Sequence, residues 1–314
     1  MRSIAAIGGG LVVLSYAVLA AAADGAPAKD QPESAGDESS GSPGDLAKAV
    51  QNPLADMISV PFENTFNYNI GAYDRAQDIL KIEPVVPVHL SESLNLIARM
   101  IVPIVYQPDV SNTGGGSSGL GDINPAFYFS PAKPGRLIYG VGPIFTIPTA
   151  TQRATGSGKL TMGPGAVALI QPGHWTFGAL ASQVWSVAGP SDRSSVSALS
   201  IQYFVHYNLP EHWYLSSAPT ITASFAPAGS GGDQWTIPFG GGAGKIFTVG
   251  KLPLNGKVEA YYNLRPHNND TIASWQLLAQ IAFLFPTKKP DAKPHEQEAS
   301  AARTITSPAV TAHK

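Results

Sequence analysis

The sequence predicts an all-β protein: an antiparallel, up-and-down transmembrane β-barrel of about twelve strands, with a short helix ahead of it. Three observations lead there. The first is alternation. In "SWQLLAQIAFLFP", Trp275, Leu277, Ala279, Ile281, Phe283 and Phe285 fall on one face, and Gln276, Leu278, Gln280, Ala282 and Leu284 on the other. The second is length. Many such runs extend over about 12–15 residues, where soluble strands have a usual mode of about 5 or 6 and a tilted membrane strand needs about 9–11. The third lies in the connections, which are short on one side and mostly longer and rich in Gly, Ser and Asn on the other.

Taken in order, residues 1–23 have the layout of a secretory signal peptide: Arg2, an apolar stretch, then small residues with an A-x-A pattern at Ala21 to Ala23. A retained helical anchor is the alternative, since the stretch is nearly long enough to span a bilayer. The three glycines in its middle and the alanine run favour cleavage. No later run is long and apolar enough for a membrane-crossing helix, so a membrane-embedded chain has to cross as strands. Residues 24–44 are small, polar and Pro-rich, and read as an unstructured linker. Residues 45–57 read as a short helical segment, with Asp45 as its cap and Pro53 as its stop.

The barrel is expected over residues 58–286. Its runs fall at 58–70, 76–90, 93–108, 119–131, 136–149, 159–171, 174–188, 195–209, 212–225, 234–249, 255–265 and 273–285. "LSES", "SPAKPGR", "QPGH", "LPEH" and "GKLPLNG" are the short connections. An even strand count puts both termini on their side, the periplasmic one. Residues 287–314 are a polar tail without expected structure.

The remaining question is which way the apolar faces point. A soluble sandwich also alternates, but it carries Lys and Glu on its outer faces and protects its edges with charge or Pro. Here the runs hold few charges. Trp175, Trp185, Trp213, Trp235, Trp275 and Phe285 stand at run ends, as interfacial aromatic girdles do. Pro84, Pro103, Pro125, Pro143 and Pro238 interrupt runs and require bulges or local loosening. Phe283 and Phe285 supply the aromatic-x-aromatic end of a barrel-assembly signal. Leu278 and Gln280 stand where such signals often carry a polar residue and Gly, so that match is partial.

If lipid meets the apolar faces, the polar faces line the interior. They offer Glu63, Lys81, Glu83, Arg99, Gln107, Asp122, Asn124, Gln202, His206, Asn208, Lys257, Glu259, Asn263 and Gln280. Glu63, Lys81, Glu83 and Arg99 come from three successive strands and form a mixed-charge cluster. It is either internal ion pairing that fills a narrow barrel or a constriction that orients a passing solute. About twelve strands lie between filled eight-stranded barrels and open porins. The lumen is therefore either a thin channel or blocked, with the 45–57 segment folding inward as the candidate plug. The loop at 111–119 is either a solvated flexible loop or a cover over the external mouth.

Composition excludes several classes. A net charge of -2 with 13% charged residues gives no cationic footprint for nucleic acid. With no Cys there is neither a disulfide framework nor a thiolate metal site. No HExxH or Cys/His spacing appears, and no cofactor or metal is expected. "GSGK" (156–159) and "GGGAGK" (240–245) lack the spacing of a phosphate loop and open no helix. The first reads as a loop and the second as close backbone packing. A lipid-acting barrel enzyme would draw on His206, since His174 and His212 sit at turns.

The stretches "LAKAVQNPLADMISVPFENTFNYNIG", "GLGDINPAFYFSPAKPG", "YGVGPIFTIPTAT", "GPGAVALIQPGHWTFGALASQVWS" and "HYNLPEHWYLSSAPTITASF" carry a resemblance. Over about residues 46–286 the chain resembles the bacterial outer-membrane family of meta-pathway phenol-degradation proteins, often called simply transporters and sometimes misnamed neuromedin U. The resemblance implies an outer-membrane barrel that moves small hydrophobic or aromatic compounds, and it brings no catalytic residues. The expected protein is thus a Gram-negative outer-membrane channel for passive diffusion. Its expected partners are membrane lipids, small solutes and, through Phe283 and Phe285, the barrel-assembly machinery. A lipid-acting enzyme and a closed structural barrel are the alternatives.

Overall fold

The computed structural model of the chain describes residues 43–225, 234–264 and 272–286. The expected signal peptide, the tail and all but the last two residues of the linker lie outside them. Helix α1 (Pro43–Val50) precedes twelve barrel strands. These are β1 (Met57–Ile70), β2 (Arg75–Ile82 and Val85–His89), β3 (Leu94–Pro108), β4 (Gly116–Leu120 and Asn124–Pro131), β5 (Ile138–Thr146) and β6 (Leu160–Ile170). They continue as β7 (Trp175–Ala188), β8 (Ser197–Asn208), β9 (Trp213–Ser217 and Thr220–Ser224), β10 (Gln234–Val249), β11 (Leu252–Leu264) and β12 (Trp275–Pro286). Each pairs antiparallel with the next. β12 returns to β1 through twelve consecutive partners, from Met57↔Pro286 to Tyr68↔Trp275, and closes the barrel.

The expected runs lie where the alternation placed them, with three local differences. α1 starts at Pro43, ahead of Asp45, with proline at the first helical position where no donor is needed. It ends at Val50, and Asn52 then turns the chain by accepting the Leu54 N–H at 2.9 Å. The 250–256 connection contracts to the two residues Gly250 and Lys251, because Val249 pairs with Leu252 and Gly250 takes a φ of 62°. The Gly/Ser-rich loop contracts to 109–115, because Gly116–Leu120 pairs with residues 104–108. What remains of it is held. Asp109 accepts bonds from the Ser111 hydroxyl and the Asn112 amide, which keep its carboxyl down at about 2. Arg75 grips the Gly115 carbonyl oxygen at 2.7 Å.

The apolar faces point outward. On β3, Leu94, Met100, Ile104 and Tyr106 are exposed while Asn95, Ile97 and Val105 are buried. Exposed aromatics form two belts. Trp175, Trp213 and Phe285 lie at the short-turn end, and Tyr68, Tyr106, Trp185, Trp235, Tyr262 and Trp275 toward the long loops.

Prolines thin the ladder locally. On the β4–β5 seam only three rows pair, Ile123↔Ile147, Ala126↔Ile144 and Phe129↔Val141, because Pro125 and Pro143 offer no N–H. Glycines do the opposite and permit crossing contacts. Ser216 on β9, Gly242 on β10 and Glu259 on β11 form one row. The Ser216 hydroxyl donates to the Glu259 carboxylate over the bare glycine. Two rows away, Tyr214 spans Gly244 and donates to Asn255 Oδ1 at 2.8 Å. A Cβ at Gly242 would strike the Val258 carbonyl oxygen, so close packing is the reason for the glycines. Gly242→Val should therefore cost at least about 1–3 kcal/mol, the usual range for overpacking. It should lower the temperature at which the barrel loses its unboiled gel mobility, while Ala243→Val on the outer face leaves that temperature unchanged.

Candidate functional site: a charged belt in the lumen

The register places the belt. Lys257 on β11, Gln280 on β12, Glu63 on β1 and Lys81 on β2 are successive partners in one row across four strands. Lys81 donates to Glu63 at 2.8 Å. Glu83, at the break between the two pieces of β2, receives the Arg99 guanidinium at 2.5 Å. Lys257 pairs with Glu259 at 3.0 Å. Three cations meet three anions, and the belt is neutral. Its members are largely shielded, with side-chain exposures from 0% at Glu259 to 31% at Lys81. Shielding strengthens each attraction but also costs hydration. Such pairs therefore add little net stability while fixing where each charge stands.

Next to the belt the inner wall differs in kind. Ile97, Tyr128, Val167, Leu169, Leu180 and Phe204, from β3, β4 and β6–β8, form a buried apolar cluster on the inward side. Two chambers meet at the belt and share Glu63, Glu83, Arg99, Leu180, Gln202 and Ala218. The larger, about 470 Å³, extends past hydroxyls and amides such as Thr65, Asn67, Asn124 and Ser182. The smaller, about 190 Å³, is bounded by residues 49–53 and 55 of the segment after α1.

That segment fills the short-turn end of the barrel. Leu46, Ala47 and Val50 pack against Tyr214 and Ile246, and Leu54 joins the apolar wall. The carboxamide of Gln51 donates to Asn208 Oδ1 at 2.7 Å and accepts from the Thr176 hydroxyl at 2.8 Å. Gln171 donates to the Lys48 carbonyl oxygen at 2.8 Å. The 45–57 segment thus folds inward, the position expected of the candidate plug.

Of the residues the sequence singled out, Glu63, Lys81, Glu83, Arg99, Asn124, Gln202, His206, Lys257 and Gln280 line a chamber. Glu259 lies beneath the lining, covered by Ser216. Asp122 lines neither chamber. Its carboxylate accepts from the Ser157 N–H at 2.6 Å, the Ser157 hydroxyl at 2.8 Å and the Ala150 N–H at 3.2 Å, and so staples the 147–159 loop to β4. Gln107 closes a lumen ladder with Asn67 and Gln77, and Asn263 donates to the Ala273 carbonyl oxygen. The His206 ring sits between Phe204 and Tyr214, with no hydrogen-bond partner on Nδ1. The inward apolar wall and the Gln51 clamp were missed, although the alternation already set Ile97 and Phe204 beside polar lumen positions.

No family model matches the chain, and no curated protein matches it. Solved structures do. An outer membrane channel from Pseudomonas putida F1 is similar with a TM-score of 0.55 at 15% identity, over 73% of this chain and 94% of that one. The chain has the fold of an outer-membrane β-barrel. Two others are more remote. A Salmonella typhi outer membrane phospholipase, a dimer with bound calcium, has a TM-score of 0.38 at 12% identity, over 76% of this chain and 97% of that one. The Pseudomonas putida toluene transporter TodX has 0.36 at 8%, over 77% and 93%. At such distances neither bears on what this chain does, and the narrower phenol-degradation resemblance is not tested by these likenesses.

Arg99→Ala should leave the Glu83 carboxylate without its partner. Lumen water will soften the loss to below the about 3–5 kcal/mol of a dry interior. In planar bilayers the belt, now one positive charge short, should shift toward cation selectivity. Adding Glu83→Gln should restore both stability and neutrality. An unchanged reversal potential in the single variant would remove Arg99 from the conducting wall.

Proposed function

We propose that the protein is an outer-membrane channel for passive diffusion of small molecules, with hydrophobic or aromatic compounds as its preferred solutes. The supporting observation is the mixed chamber of about 470 Å³, lined by ion pairs, hydroxyls and amides together with Tyr128, Ile144 and Leu180. A solute with a flat apolar body and a polar edge finds partners of both kinds in that lining. The neutral belt neither attracts nor repels one sign of charge, which suits uncharged solutes. In this reading the chain sits in a Gram-negative outer membrane with both termini in the periplasm. Phe283 and Phe285 form the end of its assembly signal.

A closed structural barrel is the second reading, favoured by the segment that fills the short-turn end. In the channel reading that segment yields during passage. Liposomes containing the refolded protein should swell faster in phenol-type solutes than in sugars of similar size, whereas no swelling in either points to the closed barrel. Gln51→Ala combined with Leu54→Ala removes the clamp and its apolar anchor, and should raise single-channel conductance. Equal conductance with and without the clamp would mean that the segment does not limit flow.

A further inference from the structure

Three carboxylates stand within the paired stretches of the described strands: Glu63, Asp78 and Glu259. Glu63 and Glu259 turn inward, and each is matched by a lysine. Asp78 differs on both counts. Its row, Phe66↔Asp78, lies between Thr65↔Ile79 and Asn67↔Gln77. Thr65, Asn67 and Ile79 line the larger chamber, so alternation turns Asp78 outward. Asn64, between the inward Glu63 and Thr65, is outward for the same reason, and its amide donates to Asp78 Oδ1 at 2.6 Å. Among the described residues Asn64 is the one donor to that carboxylate, and no cation pairs with it.

This polar pair lies within the apolar layer. Asn64 is four residues from Tyr68, in the belt toward the long loops, and its β12 partner Ala279 is six from Phe285, in the belt at the short turns. Lipid headgroups and bulk water lie beyond those belts. A carboxylate and a carboxamide are costly on a face that meets acyl chains alone, and at this depth it is another protein that can bring a polar partner.

The pair itself specifies what that partner carries. The Asn64 amide has two N–H groups and uses one, while Asp78 Oδ2 remains to accept. One spare donor thus stands beside one spare acceptor. A copy of this chain turned about an axis along the membrane normal presents the same two groups at the same depth. Across a two-fold axis, the spare N–H of each Asn64 meets the Asp78 Oδ2 of the other copy, and the four groups close on themselves. The flanks are already set. Phe66 stacks on Tyr68 with ring centroids 6.2 Å apart, and Phe62 meets Phe283 edge-on at 5.8 Å. Ala279, next to Asn64, is small enough to admit a close approach.

We propose that the protein forms a two-fold dimer in the membrane, joined through the outer face of β1 and β2 with Asn64 and Asp78 at its centre. The contact needs only the outward faces of the wall and is independent of what passes through the lumen.

The chain lacks cysteine, so one introduced thiol reports one position. Leu80→Cys puts a thiol on the outer face beside Asn64, its cross-strand partner. Ala179→Cys, outward beside the inward Leu180 on β7, is the control across the barrel. Gram-negative cells producing each full-length protein are treated with a short bis-maleimide, and the products are identified by gel and mass spectrometry. The Leu80→Cys protein should give a species of twice the chain mass that contains this chain alone, while the Ala179→Cys protein stays single. Adding Asn64→Leu with Asp78→Leu removes both polar groups together and leaves neither unpaired. Cross-linking through Leu80→Cys should then fall to the level of the control, with the unboiled gel mobility of a folded barrel retained. Asp78→Ala alone is the milder variant should the leucine pair not fold, and the same loss is expected of it. Absence of a doubled species, equal cross-linking by the control, or cross-linking that survives loss of the pair in a folded barrel overturns the dimer. A product that joins this chain to a different protein overturns the second copy as the occupant of this face.

Discussion

A peptide group in hydrocarbon has no water to turn to, and the structure is organised around that constraint. Pairing β12 back onto β1 removes the last free edge, and an unbroken ring of strands follows from it. Lengths, faces and girdles are then consequences. Strands must cross the apolar layer, alternate side chains must be greasy, and aromatics gather where the layer ends. Places where the ring departs from regularity are the informative ones. Proline on β4, β5, β9 and β10 removes donors the ring would otherwise use, and at β9–β10 side chains from β8, β9 and β11 take over.

The lumen answers a second constraint, that of volume. Twelve strands enclose more space than inward side chains from the wall fill on their own, yet less than an open porin. The chain resolves this unevenly. Residues 46–56 fill one end, the belt narrows the middle, and small hydroxyl and amide side chains leave the other end roomy. Burying six charges without net charge or an uncompensated ion requires that they be placed together. One register row does much of that work, since Lys257, Gln280, Glu63 and Lys81 are successive cross-strand partners. Gly242 allows Glu259, which lies outside that row, to find Ser216 two strands away.

The period-two pattern made the fold legible almost in full. Strand order, strand number and the outward faces of β1, β3 and β12 all follow from it, because membrane strands obey alternation over many residues. The site was legible only in its polar half. Treating apolar as outward concealed Ile97, Leu180 and Phe204, which alternation alone assigns to the same faces as Arg99, Ser182 and His206. Asp122 misled for a different reason. Its polarity was read as facing the lumen, but a carboxylate at a strand break is also the natural acceptor for the N–H groups of a neighbouring loop. The Gln51 clamp joins residues more than a hundred positions apart, and no local pattern encodes such a contact.

These two constraints meet at the apolar wall. A barrel whose purpose is only to conduct water and ions gains nothing from a greasy inner surface, which sheds water and narrows the conducting path. A barrel that fills its interior for stability alone has no need to keep a chamber of about 470 Å³ beside that surface. Chamber and greasy wall together make sense when the passing molecule is itself partly apolar, since burying its surface against Tyr128 and Leu180 offsets the loss of its hydration. In the proposed channel the neutral belt would act on the polar edge of the same molecule. It would hold that edge by hydrogen bonds from groups already fixed in place, so that orientation costs little at the moment of passage.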